Sequence, residues 1–137
     1  MDKFVKGFII MSIAYLGAAA ILGILMLWNQ NVMGLKFVHS HLNMLGWVSM
    51  MIYGVGYHIL PRFMGRALYS ARIGEAQFVL GNVSLVAMLV FYTLNVYDPS
   101  TAYRALTVAS AAVQAVSVFL FFYNMLMTLL TTVEQPK

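Results

Sequence analysis

Apolar residues along this chain fall into four long blocks, and the charges sit almost entirely between them. The uncharged runs are Gly7 to Leu35, Phe37 to Pro61, Ala76 to Tyr97 and Ala105 to Val133. Each supplies the roughly 20 apolar residues that a helix needs to cross the hydrocarbon of a bilayer. The pattern predicts helices over about 4–28, 37–60, 74–96 and 102–132, with Pro61 expected to end the second. The links "NQNVMGLK", "PRFMGRALYSAR" and "NVYDPSTAYR" are short, and Asp98-Pro99 reads as turn chemistry. Short links make sequence neighbours antiparallel. The expected fold is therefore all-α: an integral membrane four-helix bundle, with residues 1–137 as a single transmembrane domain. The first run is too long for the apolar core of a signal peptide and is read as a retained helix.

Polar residues inside the runs are themselves periodic. Gln77, Gly81, Ser84, Met88, Tyr92 and Asn95 share one face of the third run. Ser110, Gln114, Ser117, Phe121 and Asn124 share one face of the fourth. Polar side chains are costly in lipid, so these faces should meet protein or a cofactor, and close interhelical packing is the simplest use for them. On the second run the corresponding face is His39, Asn43, Gly46, Met50 and Gly54, and it begins with an imidazole.

Composition agrees with the pattern. The chain is 62% hydrophobic and only 9% charged, with a mean hydropathy of +0.84, whereas soluble domains carry about a quarter charged residues. The absence of cysteine excludes disulfides, thiolate metal sites and c-type haem attachment. A pI near 9.5 would suggest nucleic acid in a soluble protein. Here the basic residues flank the apolar runs, so they act as topology signals and nucleic acid is not an expected partner. Lys3, Lys6, Arg62, Arg66, Arg72 and Lys137 fall on one side, Lys36 and Arg104 on the other. The positive-inside rule then places both termini in the cytoplasm.

All three histidines lie in the second run, in "VHSHLNMLGWVSMMIYGVGYHILPRF". His39 and His41 open it on the outer side, and His58 closes it on the inner side. His41 and His58 are separated by about 25 Å along a helix, so they cannot hold one metal ion within one chain. His39 and His41 point roughly 200° apart, so only one of them faces a given cofactor squarely. Asn43 shares the face of His39. No Asp or Glu interrupts the four runs, which argues against a proton pump and against a carboxylate-held metal. A neutral imidazole on an apolar helix suits haem: it donates a lone pair, carries no net charge into lipid, and leaves its other nitrogen for an orienting acceptor. The sequence holds no nucleophile with a base, no acid pair and no phosphate loop, so no catalytic residue is assigned and an independent enzyme is not expected.

The stretch "HSHLNMLGWVSMMIYGVGYHILPRF" resembles the second transmembrane helix of the heme-copper oxidase superfamily. The likeness is to the nitric oxide reductase and C-type oxidase branches and to NnrS-type haem proteins. It is carried by His39, His41, Leu42, Asn43, Gly46, Trp47, Gly54, Tyr57, His58, Leu60, Pro61 and Arg62. The resemblance implies a b-type haem whose iron takes His41, the histidine before Leu-Asn, as axial ligand. His39 is the alternative ligand or orienting partner, and Lys36 or Arg104 would meet the propionates. The catalytic members take their remaining ligands from later helices, which this chain lacks. The third run reads "EAQFVLGNVSL", with Gln77 and Gly81 and no histidine. The second axial ligand is therefore expected from another copy, from His39 or Met44, or not at all, leaving iron open to a diatomic gas. A homo-oligomer is the expected assembly, and a trimer would supply a helix set of the larger fold's size.

The implied role is electron transfer with a redox partner protein, or NO or O₂ binding, as a possible component of an oxidoreductase in a bacterial or archaeal cytoplasmic membrane. Two alternatives stand beside it. Pooled histidines from several chains, with 11 methionines in each, would suit copper. A non-catalytic accessory subunit of a respiratory complex would use the polar faces for packing and the histidines only for hydrogen bonding. His58 itself is read either as a separate inner-leaflet cofactor site or as a bond to a neighbouring helix.

Overall fold

A computed structural model describes residues 1–130; Lys137 and the end of the fourth expected helix lie outside the described residues. Among the described residues the chain is all-helical. Helix α1 spans Lys3–Trp28. A 3₁₀ segment, Gln30–Leu35, follows and is capped at its start by the Asn29 side chain, which accepts from the Asn31 amide at 3.0 Å. Helix α2 (Lys36–His41), a π-helical segment (Leu42–Ser49) and helix α3 (Met50–Phe63) then continue one into the next as a single composite rod. Helices α4 (Ala71–Tyr97) and α5 (Thr101–Leu130) complete the order. α1, α4 and α5 are each long and apolar enough to cross a membrane. Neither α1 nor α4 divides into an apolar face and a water-facing polar face, the distribution of a helix surrounded by lipid and other helices rather than by water.

The second run differs from the expected uniform α-helix in two ways. Immediately after His41 the ladder widens to the π register, and the Ser49 hydroxyl donates to the Met44 carbonyl five residues back at 2.8 Å. The wider turn rotates the histidine end relative to α3. The helix also does not stop at Pro61, which lies inside α3. Proline removes one amide donor, yet near a C-terminus the chain has little ladder left to lose. Termination belongs instead to Gly65, whose φ of 61° is the left-handed conformation that glycine adopts without Cβ strain. The Arg66 amide donates to the Pro61 carbonyl at 2.9 Å and the Gly65 amide to the Arg62 carbonyl at 3.0 Å. This is the paired pattern of a Schellman cap.

The helices pack as two antiparallel pairs. α1 lies along the composite rod, and α4 lies along α5 with the most extensive contact in the molecule. The polar faces of the third and fourth runs meet each other. Ser84 donates to Gln114 Oε1 at 2.6 Å, and Ser117 donates to the Gln77 carbonyl at 3.1 Å. A Cβ at Gly81 would come within 2.8 Å of Ser117 Oγ. The glycine face of the second run meets α1 in the same way. A Cβ at Gly46 would lie 2.7 Å from Tyr15 Cβ, and one at Gly54 would lie 2.7 Å from Ile9 Cγ1 and 3.3 Å from the Ile9 amide nitrogen. Small residues thus set the approach of both pairs, as expected where packing rather than water drives helix association.

An aromatic cluster joins the pairs. The Tyr57 ring meets Phe4 at 5.2 Å and Phe121 at 5.3 Å, both edge-on, and Phe8 meets Phe78 edge-on at 5.0 Å. The Tyr57 hydroxyl donates to Gln77 Oε1 at 2.7 Å and accepts from Asn124 Nδ2 at 3.4 Å. Substitution of Gly54 by Leu should force α1 from the rod and cost about 1–3 kcal/mol. Gly17→Leu, where a Cβ meets nothing within 4 Å, should leave stability nearly unchanged. Thermal unfolding of both variants in detergent checks the contrast.

Candidate functional site

His39 and His41 leave the same short helix in different directions, and the structure gives them different surroundings. The His39 ring reaches α1. Its Nδ1–H donates to the Ala19 carbonyl at 3.0 Å, and the ring edge lies where a Cβ on Gly23 would approach His39 Cε1 to 3.1 Å. Because a carbonyl only accepts, the proton sits on Nδ1 and the lone pair on Nε2. That lone pair accepts from Asn43 Nδ2 at 3.3 Å, while the same amide donates to the His39 carbonyl at 2.9 Å. Both ring nitrogens of His39 are therefore engaged, and the residue stitches the rod to α1.

His41 is held within its own helix. Its Nδ1–H donates to the Phe37 carbonyl one turn back at 2.8 Å. The same tautomer follows, and Nε2 again carries the lone pair. No hydrogen-bond partner for Nε2 is found among the described residues, and the ring is only partly buried. One ring face stacks on Phe37 at 3.8 Å, and Phe37 in turn stacks on Tyr92 of α4 at 4.2 Å. The result is a three-ring pile that bridges α2 to α4. The Phe37–His41 spacing of one helical turn was the available signal for its first contact. Nothing in the sequence paired Phe37 with Tyr92.

The two outer basic residues, Lys36 and Arg104, are exposed. Arg104 lines a cleft of about 340 Å³ with Phe37, Tyr92, Asn95 and Thr107, one aromatic ring away from His41. Met44 projects from the π segment and is exposed. At the opposite end His58 is partly buried and its Nε2 accepts from Arg62 Nη1 at 2.8 Å. The structure thus brings His39 and Asn43 together, sets His41 on a separate face of the rod, and leaves His58 with Arg62 at the far end of the same rod. Among the described residues no group of three His, Cys, Asp or Glu side chains converges on a point that would hold a bare metal ion.

Two buried amide nitrogens, Gln77 Nε2 and Gln114 Nε2, have no hydrogen-bond partner among the described residues. Both sit inside the α4–α5 seam, beside partners that already engage the amide oxygen. Searches against family models, curated proteins and solved structures return no match to this chain.

The two outer histidines should separate by stability. His39→Ala removes the second hydrogen bond to the Ala19 carbonyl, which the α1 ladder already engages, and leaves a void in the α1 seam, which should cost about 1–3 kcal/mol. His41→Ala removes a partly buried ring whose bond lies within its own helix and should cost less than about 1 kcal/mol. Thermal melts of the two variants beside the parent protein measure the difference.

Proposed function

We propose that this chain is a small integral membrane b-type haem protein whose iron is held by His41. The observation that carries the reading is the state of the His41 ring. Its Nδ1–H is fixed on a backbone carbonyl and its Nε2 lone pair has no partner among the described residues. This is the ligand orientation that an imidazole needs before it meets iron. One imidazole of this chain, His41, would hold the iron; His39 would not join it while its Nε2 is taken by Asn43 and its ring is committed to α1. The π segment that begins at Leu42 adds weight, since such widened turns recur at functional sites.

In this reading the composite rod crosses the bilayer with α1, α4 and α5, forming a four-helix membrane bundle. The rod is helical without a break from Lys36 to Phe63 and uncharged from Phe37 to Pro61. Lys3, Lys6, Arg62, Arg66 and Arg72 gather at one end, so that end is cytoplasmic, and the membrane is the cytoplasmic membrane of a bacterium or archaeon. His41 then lies toward the outer face. Arg104, beside Phe37 in the outer cleft, and Lys36 would meet the propionates. A further ligand would come from another copy of the chain, or the iron would stay open to a diatomic gas. When bound, haem would supply one-electron exchange or a site for NO or O₂. Phe37, stacked against the imidazole, holds the ring plane, and Tyr92 backs Phe37 from α4.

The test is an absorption spectrum of detergent-purified protein produced with ample haem, oxidised and dithionite-reduced. Parent protein and His39→Ala should show a Soret band with reduced α and β bands. His41→Ala should lose them. A featureless parent spectrum, or bands that survive His41→Ala and vanish in His39→Ala, overturns the assignment.

A further inference from the structure

The end of the molecule opposite His41 carries a second built feature that the haem reading does not use. The last turn of α3 and the loop after it frame a cleft of about 220 Å³, lined by Asp2, Tyr57, His58, Arg62 and Arg66 among others. A second cleft opens on the other side of the same turn, lined by His58, Ile59, Arg62 and Phe63. The two share His58 and Arg62. One is polar with two guanidinium groups. The other is apolar, and its Phe63 is 82% exposed. A polar pocket and an apolar groove joined at one arginine match a molecule with an anionic head and a hydrocarbon tail.

The frame is rigid. Asn124 clamps the loop from α5, accepting from the Ser70 amide at 3.1 Å and donating to the Ser70 carbonyl at 2.8 Å. The Tyr69 amide donates to Thr128 Oγ1 at 3.0 Å, and Arg66 Nη1 donates to the Leu129 carbonyl at 3.0 Å. Arg62 spends one N–H on His58 Nε2 and makes no ion pair among the described residues. The remaining donors of its planar fork suit the oxygens of a phosphate. Among the described residues, Asp2 is the single acidic side chain lining the polar cleft.

We infer that this end binds the phosphate headgroup of an anionic phospholipid, with Arg62 on the phosphate and an acyl chain along Ile59 and Phe63. The inference rests on the bilayer placement in the proposed function and is independent of haem. A basic pocket at the cytoplasmic end of membrane helices is where such lipids are recognised. Phe63 distinguishes a lipid from free phosphate, because inorganic phosphate has no use for the apolar groove.

Native mass spectrometry of the full chain, released from neutral detergent and titrated with phosphatidylglycerol, phosphatidylcholine or inorganic phosphate, tests this. Phosphatidylglycerol should be retained in preference to phosphatidylcholine. Arg62→Gln should weaken it about fivefold, the effect of one basic residue at an anionic surface. Lys3→Gln, which removes the same charge from the same end outside the cleft, should keep the preference. Phe63→Ser should weaken phosphatidylglycerol without changing phosphate. If Arg62→Gln fails to reach native helicity by circular dichroism, Arg62→Lys carries the same comparison, with the fork lost and the charge kept. Equal retention of the two lipids, equal losses in Arg62→Gln and Lys3→Gln, or phosphate binding as tightly as the lipid overturns the inference. Alkaline carbonate extraction of membranes, run in parallel, tests bilayer placement alone and so separates the failure of that reading from the failure of this one.

Discussion

The Tyr57 hydroxyl donates to Gln77 and accepts from Asn124, while its ring is closed in by Phe4, Phe8 and Phe121. From α3 this one side chain touches α1, α4 and α5. In an apolar surround an unmade hydrogen bond costs more than in water, so a polar group carried there must find its partner inside the protein. Tyr57 and Asn124 meet that demand, and Gln77 meets it through Oε1, while its Nε2 has no partner among the described residues. Each comes from a different helix, so the two helix pairs can dock in only one register. Asn124 extends the constraint outward by clamping Ser70 of the loop, and Ser70 in turn caps α4 through the Ile73 amide at 3.3 Å.

The same economy of partners separates the outer histidines. In a helix an imidazole reaches the carbonyl one turn back without help from a neighbour, which is what His41 does. His39 instead uses a carbonyl of α1, and Gly23 leaves room for the ring, since a Cβ there would crowd Cε1 at 3.1 Å. Two chemically identical side chains two residues apart thus acquire different roles. One joins helices, and one presents a lone pair. The Phe37–Tyr92 stack supports the second role by fixing the plane of the His41 ring from α4.

The molecule is polarised along its length. At the His41 end, aromatic rings stack on an imidazole, and an apolar cleft with Arg104 at its rim lies one ring away. At the His58 end, guanidinium groups gather around a loop stapled to α5. The tyrosine knot lies nearer the second end and holds its geometry. The composite rod runs between the two ends, and its π segment lies just beyond the histidines, where the rod changes phase.

By itself the sequence determined the helical content, the three long apolar helices and the positions of the links, because these follow from charge-free length and from where Gly, Pro and Asp interrupt it. It also determined that the polar faces of the third and fourth runs would pack, since a periodic stripe of small and amide residues in an apolar helix has few other uses. Tertiary structure alone decided what those faces meet. Periodicity says that Gln77 and Asn124 are inward, not that Tyr57 lies between them. It places His39 and His41 on different faces, not which face α1 covers. The π register was invisible, because an apolar run reads alike in either ladder. Pro61 was misjudged as a terminator because the sequence shows its missing donor but not the Gly65 cap that closes the turn beyond it. The pairing of Arg62 with His58 was open to a reading of helical spacing. Its place between a polar and an apolar cleft required the loop to be folded against α5, and that depends on contacts far apart in the chain.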